Sequence, residues 1–129
     1  MLHFAQLDEN DNVVNIIVAD TETIESGQFG DKNLFVETDK HTQFGVHYDE
    51  NNNPDGGIPM RGNYATIGGK YDRAHDVFYT KQPFPSWTIK APEWRWTPPI
   101  PKPPRSETTV NVWNESTLSW DQEIGRAHV

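Results

Sequence analysis

Leu2-His3-Phe4-Ala5-Gln6-Leu7 and Val13-Val14-Asn15-Ile16-Ile17-Val18-Ala19 flank the pentapeptide Asp8-Glu9-Asn10-Asp11-Asn12. The outer runs are β-prone, and the Asp and Asn residues between them tolerate turn geometry and bond to their own backbone. The stretch therefore reads as a β-hairpin with a five-residue loop. Side chains on a strand alternate between faces, so Val14, Ile16 and Val18 share one side of the second strand. Val13, Asn15 and Ile17 share the other, which predicts burial mostly on one side.

Further strands follow. Asp20 to Ile24 has the capping residues and early acid of a short helix, stopped by Gly27 and Gly30. Leu34 to Thr38 reads as a strand, and Gln43 to Tyr48 as another, with Phe44, Val46 and Tyr48 on one face. Asp49 to Gly57 is a polar loop. The glycines between Arg61 and Tyr71 point to sharp bends or close backbone approach. Tyr71 to Tyr79 then reads as a second hairpin, and Trp113 to Trp120 echoes it. Tyr71 matches Trp113, Asp72 matches Asn114, and Phe78 matches Trp120, which places two rings across the strands from each other in both.

Between these hairpins lie Pro83-Phe84-Pro85-Ser86-Trp87 and the run Trp94 to Pro104. Proline fixes φ and lacks the N–H that a sheet interior needs, so Pro98 to Pro104 predicts an extended rod or an arm laid across the domain. The fold class is mainly β: a small antiparallel, hairpin-based domain with a Pro-rich extended segment and a C-terminal hairpin. Residues 1–97 form the β-rich domain, 98–109 the extended arm and 110–122 the terminal hairpin. Residues 123–129 read as a translated sequencing adapter, a non-native tail that takes no part in the fold.

Composition limits the function. The chain has 129 residues, enough for one well-cored domain. Hydrophobic residues are 34%, with five Trp, six Phe and four Tyr, so the core relies on rings. A net charge of −8 with no basic cluster argues against nucleic acid and anionic membranes as partners. The absence of cysteine excludes disulfides and thiolate chemistry. The N-terminus lacks a signal peptide's basic start and apolar run, and Val13 to Ala19 is too short to span a bilayer. These features predict a soluble protein made in the cytoplasm.

No catalytic or metal site is legible, and no cofactor is expected. Asp8-Asn10-Asn12 and Asp49-Asn51-Asn53 open like a calcium loop. Both then place Val13 or Pro54 where that loop needs glycine, and Ala19 or Met60 where it needs glutamate. His41, His47 and His75 lack zinc spacing, and His41 with His47 and Asp49 converge only if the loop folds back. Asp72 and Asp76 sit in a turn, and no nucleophile elbow or phosphate loop is present. The candidate binding residues are Phe84, Trp87, Trp94 and Trp96, which are either a stacking platform for a sugar or protein partner or simply core. On a strand, Trp94 and Trp96 would point the same way.

The blocks His3 to Asn10 with Asn12 to Val18, Arg61 to Gly68 with Tyr71-Asp72 and Phe78, Lys81 to Trp87, and Trp113 to Trp120 resemble small proteins of marine tailed phages. The resemblance is strongest to cyanophage proteins and covers these blocks in order, departing mildly in the short stretch 20–33. It implies a phage-encoded protein and brings no catalytic residues with it. The expected function is a non-enzymatic structural or virion-associated accessory module, present in the host cytoplasm during infection and then in the virion. Its partner is expected to be another virion protein or itself. The alternatives are recognition of a host-surface glycan through exposed Trp, and binding of an intracellular host factor.

Overall fold

A computed structural model describes residues 1–104 and 106–124. The chain divides into two compact units, described separately here: Met1–Lys81 with Lys90–Arg95, and Gln82–Ile89 with the chain from Trp96 onward. The molecule is mainly β and built from small antiparallel sheets.

In the first unit, β1 (Leu2–Leu7) and β2 (Val13–Ala19) form the expected hairpin, and β3 (Phe35–Thr38) joins the far side of β1. The strand order is β2-β1-β3, so the first strand is central. Its alternation then serves two cores. Ala5 and Leu7 face one side with Val13, Ala65, Tyr71 and Phe78, while Phe4 faces the other with Ala19 and Ile24.

One-sided burial of β2 is therefore corrected. The register slips between Gln6 and Leu7: Gln6 pairs with Asn15 but Leu7 pairs with Val13, leaving Val14 as the extra residue of a bulge. The slip inverts side-chain parity, so Val13 joins the cluster that Ile16 packs against, while Ile17 packs on the opposite one. Val14 and Val18 remain about half exposed.

The helix α1 (Thr21–Glu25) carries Ile24 into the second core. Asp20 is its N-cap by backbone geometry, although its side chain makes no capping bond. A 3-10 turn, Lys32–Leu34, leads into β3, with the Asp31 carboxylate accepting from the Asn33 N–H.

The strand expected over 43–48 is instead a tight hairpin, β4 (Thr42–Gln43) and β5 (Val46–His47). Phe44 and Gly45 turn the chain with φ of 49° and 74°, the pair of left-handed conformations that a two-residue hairpin loop requires. Gly45 is needed for a second reason: a Cβ there would collide with the Pro92 carbonyl oxygen.

The hairpin of β6 (Lys70–Asp72) and β7 (Val77–Tyr79) packs Tyr71 and Phe78 against the first core. Gly68 and Gly69 approach the first hairpin closely: Gly68 N–H donates to Val13 O at 2.8 Å, and Val13 N–H to Gly69 O at 2.9 Å. Buried Asn63 ties three segments together. Its amide donates to the carbonyls of Phe78 and Trp94, both at 2.9 Å, and its Oδ1 accepts from Phe44 N–H at 2.8 Å.

The second unit is organised by β8 (Thr109–Asn114) and β9 (Ser119–Ile124). β9 runs on through Glu123 and Ile124, two residues assigned to the tail, and residues 125–129 lie outside the described residues. Paired bonds between Thr88 and Thr97, at 3.0 and 2.8 Å, close the preceding loop. Pro98 to Pro104 belongs to no strand, as its missing N–H groups dictate.

Candidate functional site

The candidate aromatics separate into two groups. Phe84 and Trp87 lie in the second unit, where they build a ring cluster with Trp113 and Trp120. Trp87 stands 5.6 Å from Phe84, 5.9 Å from Trp113 and 6.1 Å from Trp120, in tilted or edge-on arrangements favoured by ring quadrupoles. Trp113 and Trp120 are direct cross-strand partners at 5.3 Å. Of the four, only Trp113 is fully buried.

Glu115, in the β8–β9 turn, fastens this cluster. Its carboxylate accepts from Ser86 Oγ at 2.6 Å, Ser86 N–H at 3.1 Å and Trp113 Nε1 at 2.8 Å. These bonds, led by the Ser86 hydroxyl, hold its pKa below the ordinary glutamate value.

The proline segment lies along the same hairpin. Trp120 Nε1 donates to Ile100 O at 2.8 Å, and Asn111 Nδ2 donates to Pro103 O at 3.3 Å. Lys102 Nζ sits 5.7 Å from the Trp120 ring centroid, within cation–π range. Where a free rod or an arm across the domain was expected, the bonds of this segment run to the β8–β9 hairpin.

Trp94 and Trp96 do not share a strand, which corrects that expectation. Residues 91–94 form a turn, Trp94 has φ of 49°, and the two residues fall in different units. Half-buried Trp94 stacks on Tyr79 at 6.2 Å and 14°, and meets His75 at 5.0 Å. Asp72 accepts from His75 Nδ1 at 2.9 Å and from Tyr79 OH at 3.3 Å, completing a small aromatic shelf. Trp96 is half-buried in the second unit.

The two calcium-like stretches are one loop used twice. In Asp8–Asn12, Asp8 Oδ1 accepts from the N–H groups of Asn10 and Asn12, both at 2.9 Å, and Asp8 N–H donates to Asn12 O. In Asp49–Asn53, Asp49 Oδ1 accepts from Asn51 and Asn53 at 2.8 and 3.0 Å, and Asp49 N–H donates to Asn53 O. Asp11 and Asn52 take the same left-handed φ, 63° and 62°. The leading carboxylate thus organises backbone donors, and the Asn12 bonds lower the Asp8 pKa. The repeat of this loop is legible in the sequence, since Asp-Glu-Asn-x-Asn occurs at both places.

His41 and His47 do approach, with ring centroids 6.1 Å apart, because His47 ends β5 opposite Thr42 and His41 directly precedes Thr42. The carboxylates at His47 are Asp39 and Asp55, not Asp49. Nε2 lies 3.2 Å from Asp39 and Nδ1 2.8 Å from Asp55. Asp55 in particular holds the His47 pKa above its usual value. Asp72 and Asp76 each have separate partners, Asp76 bonding Arg61 Nε at 3.0 Å and the Tyr71 hydroxyl. Among the described residues, no group of three His, Asp or Glu is placed to hold a metal ion, and no helix is long and apolar enough to cross a membrane.

Comparison with known proteins finds no significant match to a family model, a curated protein or a solved structure.

Proposed function

We propose that the protein is a non-enzymatic, virion-associated accessory module of a tailed phage, docking on another virion protein or on a further copy of itself. The observation that carries this reading is the outward face of β8. Val110 and Val112 stand 48% and 42% exposed on a two-stranded hairpin with no third strand among the described residues. A two-stranded ribbon with β-branched residues exposed on one face favours strand addition or apolar docking. In the first unit, the edge strand β2 offers a second such pair, Val14 and Val18, at 48% and 54%.

The groups with chemical potential support the reading through their local bonds. Asp8 and Asp49 organise loops, Glu115 fastens the ring cluster, and His47 lies between two carboxylates. The resemblance to marine tailed-phage proteins supports the setting, the host cytoplasm during infection and then the particle. Mass spectrometry of purified particles from a cultured phage encoding a close relative is the test. Stoichiometric abundance is expected. Absence from particles despite expression in infected cells would leave an intracellular host-factor binder instead.

The shelf around Trp94 favours a second reading, recognition of a host-surface glycan. Sugar C–H faces pack on rings, and the half-buried Trp94 has His75 and the Asp72 carboxylate close by. A shift of Trp fluorescence with host polysaccharide, lost in Trp94→Ala and kept in Trp96→Ala, would support it. A flat response across a host glycan panel would remove it.

A further inference from the structure

The geometry points to the β8–β9 hairpin being a reader of polyproline II segments, occupied in this chain by its own arm and able to take the arm of a second copy. Five of the seven residues from Pro98 to Pro104 are proline. Each proline fixes its own φ, and each residue before a proline is driven out of the helical region. Ile100, Lys102 and Pro103 all precede a proline, so Ile100 to Pro104 is held extended at almost every torsion.

A polyproline II helix repeats every three residues and makes no internal hydrogen bonds. Its carbonyls are therefore free, and those at i and i+3 point the same way. The two that the hairpin engages are Ile100 O and Pro103 O, three residues apart. The donors come from opposite strands, Trp120 on β9 and Asn111 on β8.

The spacing fits. One polyproline II turn advances about 9 Å. Asn111 pairs with Gln122 and Trp113 with Trp120, so the two donors sit two residues along the ladder and one strand across. That diagonal spans about 8 Å. Lys102, between the two bonded residues, rests its ammonium over the Trp120 ring. The hairpin thus combines an indole donor, an amide donor and a cation-binding ring face, matched to the repeat of one ligand conformation.

The second copy is the committed occupant in trans, because the arm is the one ligand whose fit is seen and every copy carries it. Within one chain the arm competes at an effective concentration of about the millimolar range, so exchange is favoured where copies are crowded side by side. The inference concerns the purified chain and holds whether or not the protein belongs to a particle.

The test uses the full chain with Pro98, Pro99, Pro101, Pro103 and Pro104 replaced by Gly, which keeps the length and empties the site. The probe is a synthetic peptide of residues 97–104, titrated against Trp fluorescence. The emptied chain is expected to bind it at least about tenfold more tightly than the wild type, whose own arm competes. Trp120→Phe in the emptied chain is expected to lose about tenfold, the worth of one well-made hydrogen bond. A peptide with all its prolines replaced by Gly should not bind, and the wild-type chain should form a complex with the emptied one at high concentration. No saturable binding by a folded emptied chain, or binding indifferent to Trp120→Phe, overturns the reader. Capture of the peptide without any complex between chains overturns the second copy as its source. If the emptied chain does not fold, isotope-filtered NMR on mixed labelled and unlabelled wild-type chain decides. Intermolecular contacts between Trp120 and Ile100 to Pro104 support exchange, and their absence at millimolar concentration rejects it.

Discussion

The hairpins β6–β7 and β8–β9 share one frame in different surroundings. Each closes on a residue pair, Asp72 with Val77 and Asn114 with Ser119, and each has a four-residue loop. In both, the leading side chain accepts from the N–H three residues on, His75 or Thr117, at 3.2 Å. The last loop residue is left-handed in both, with φ of 54° at Asp76 and 51° at Leu118. Both place two rings directly opposite, Tyr71 with Phe78 and Trp113 with Trp120, 5.0 and 5.3 Å apart.

What differs is what covers the rings. Tyr71 and Phe78 are sealed by Ala5, Leu7 and Val13, aliphatic residues delivered by a three-stranded sheet, and by Ala65 from the chain before β6. Trp113 and Trp120 are covered by Trp87, with Phe84 beside Trp113, and by the proline arm. The same local turn therefore serves a conventional core in one unit and a ring-and-proline stack in the other. Cooperative burial separates them, and substitution should expose the difference.

The largest effect is expected at Phe78, which is 1% exposed. Phe78→Ala should cost about 3–5 kcal/mol, read by chemical denaturation, because the sheet around it cannot collapse into the gap. Trp120→Ala removes a larger ring but should cost only about 2 kcal/mol, since that ring is half-buried and its partners can shift. Equal losses would mean that the second unit is packed as tightly as the first.

The left-handed loop residue gives a sharper contrast, because the same substitution should have opposite signs. Leu118 is 47% exposed and makes no turn-specific bond, so Leu118→Gly should relieve strain and stabilise by about 0.5–1 kcal/mol. Asp76→Gly gains the same relief but loses the bonds to Arg61 and the Tyr71 hydroxyl, for a net cost of about 1 kcal/mol. Matching signs would show that Asp76's bonds contribute nothing.

The smallest expected effect is on pH dependence. Asp72 has its pKa lowered, chiefly by His75, from a usual 3.8. Its contribution is therefore present above pH 3.8 and is lost as pH falls through the lower folded value. Asn114, in the same place in β8–β9, cannot titrate. Asp72→Asn should flatten the acid limb of stability, measured as denaturation midpoints between neutral pH and acid, while Asn114→Ala leaves its shape unchanged. The β4–β5 hairpin supplies the opposite sign. His47 has a raised pKa, so its contribution is full below its usual 6.5 and is lost as pH rises through the folded value. His47→Gln should remove that alkaline limb.

Legibility followed the range of the interaction. The first hairpin, the Tyr71–Phe78 and Trp113–Trp120 ring pairs and the short helix were readable, because turn chemistry and alternation act within a few residues. Over 43–48 the structure departs from a single strand because the turn signal of Gly45, which reverses the chain between β4 and β5, outweighs three apolar residues at alternate positions. Among the candidate aromatics, type was legible but grouping was not. Phe84 and Trp87 meet the C-terminal hairpin more than twenty residues away, while Trp94 turns to His75 and Tyr79. Trp113 and Trp120 were read only as a hairpin pair, with no sign that they completed the cluster.

The sequence by itself determined a mainly β chain, its turns, its paired rings and an arm that cannot join a sheet, because these depend on φ preferences and neighbouring residues. Only the tertiary structure decided that β1 is central, that a bulge at Val14 inverts the faces of β2, and that the arm lies on Trp120 and Asn111. The physical reason is that burial belongs to pairs of distant segments. A residue's own pattern sets which way it can point, and the segment that arrives there sets whether water is excluded.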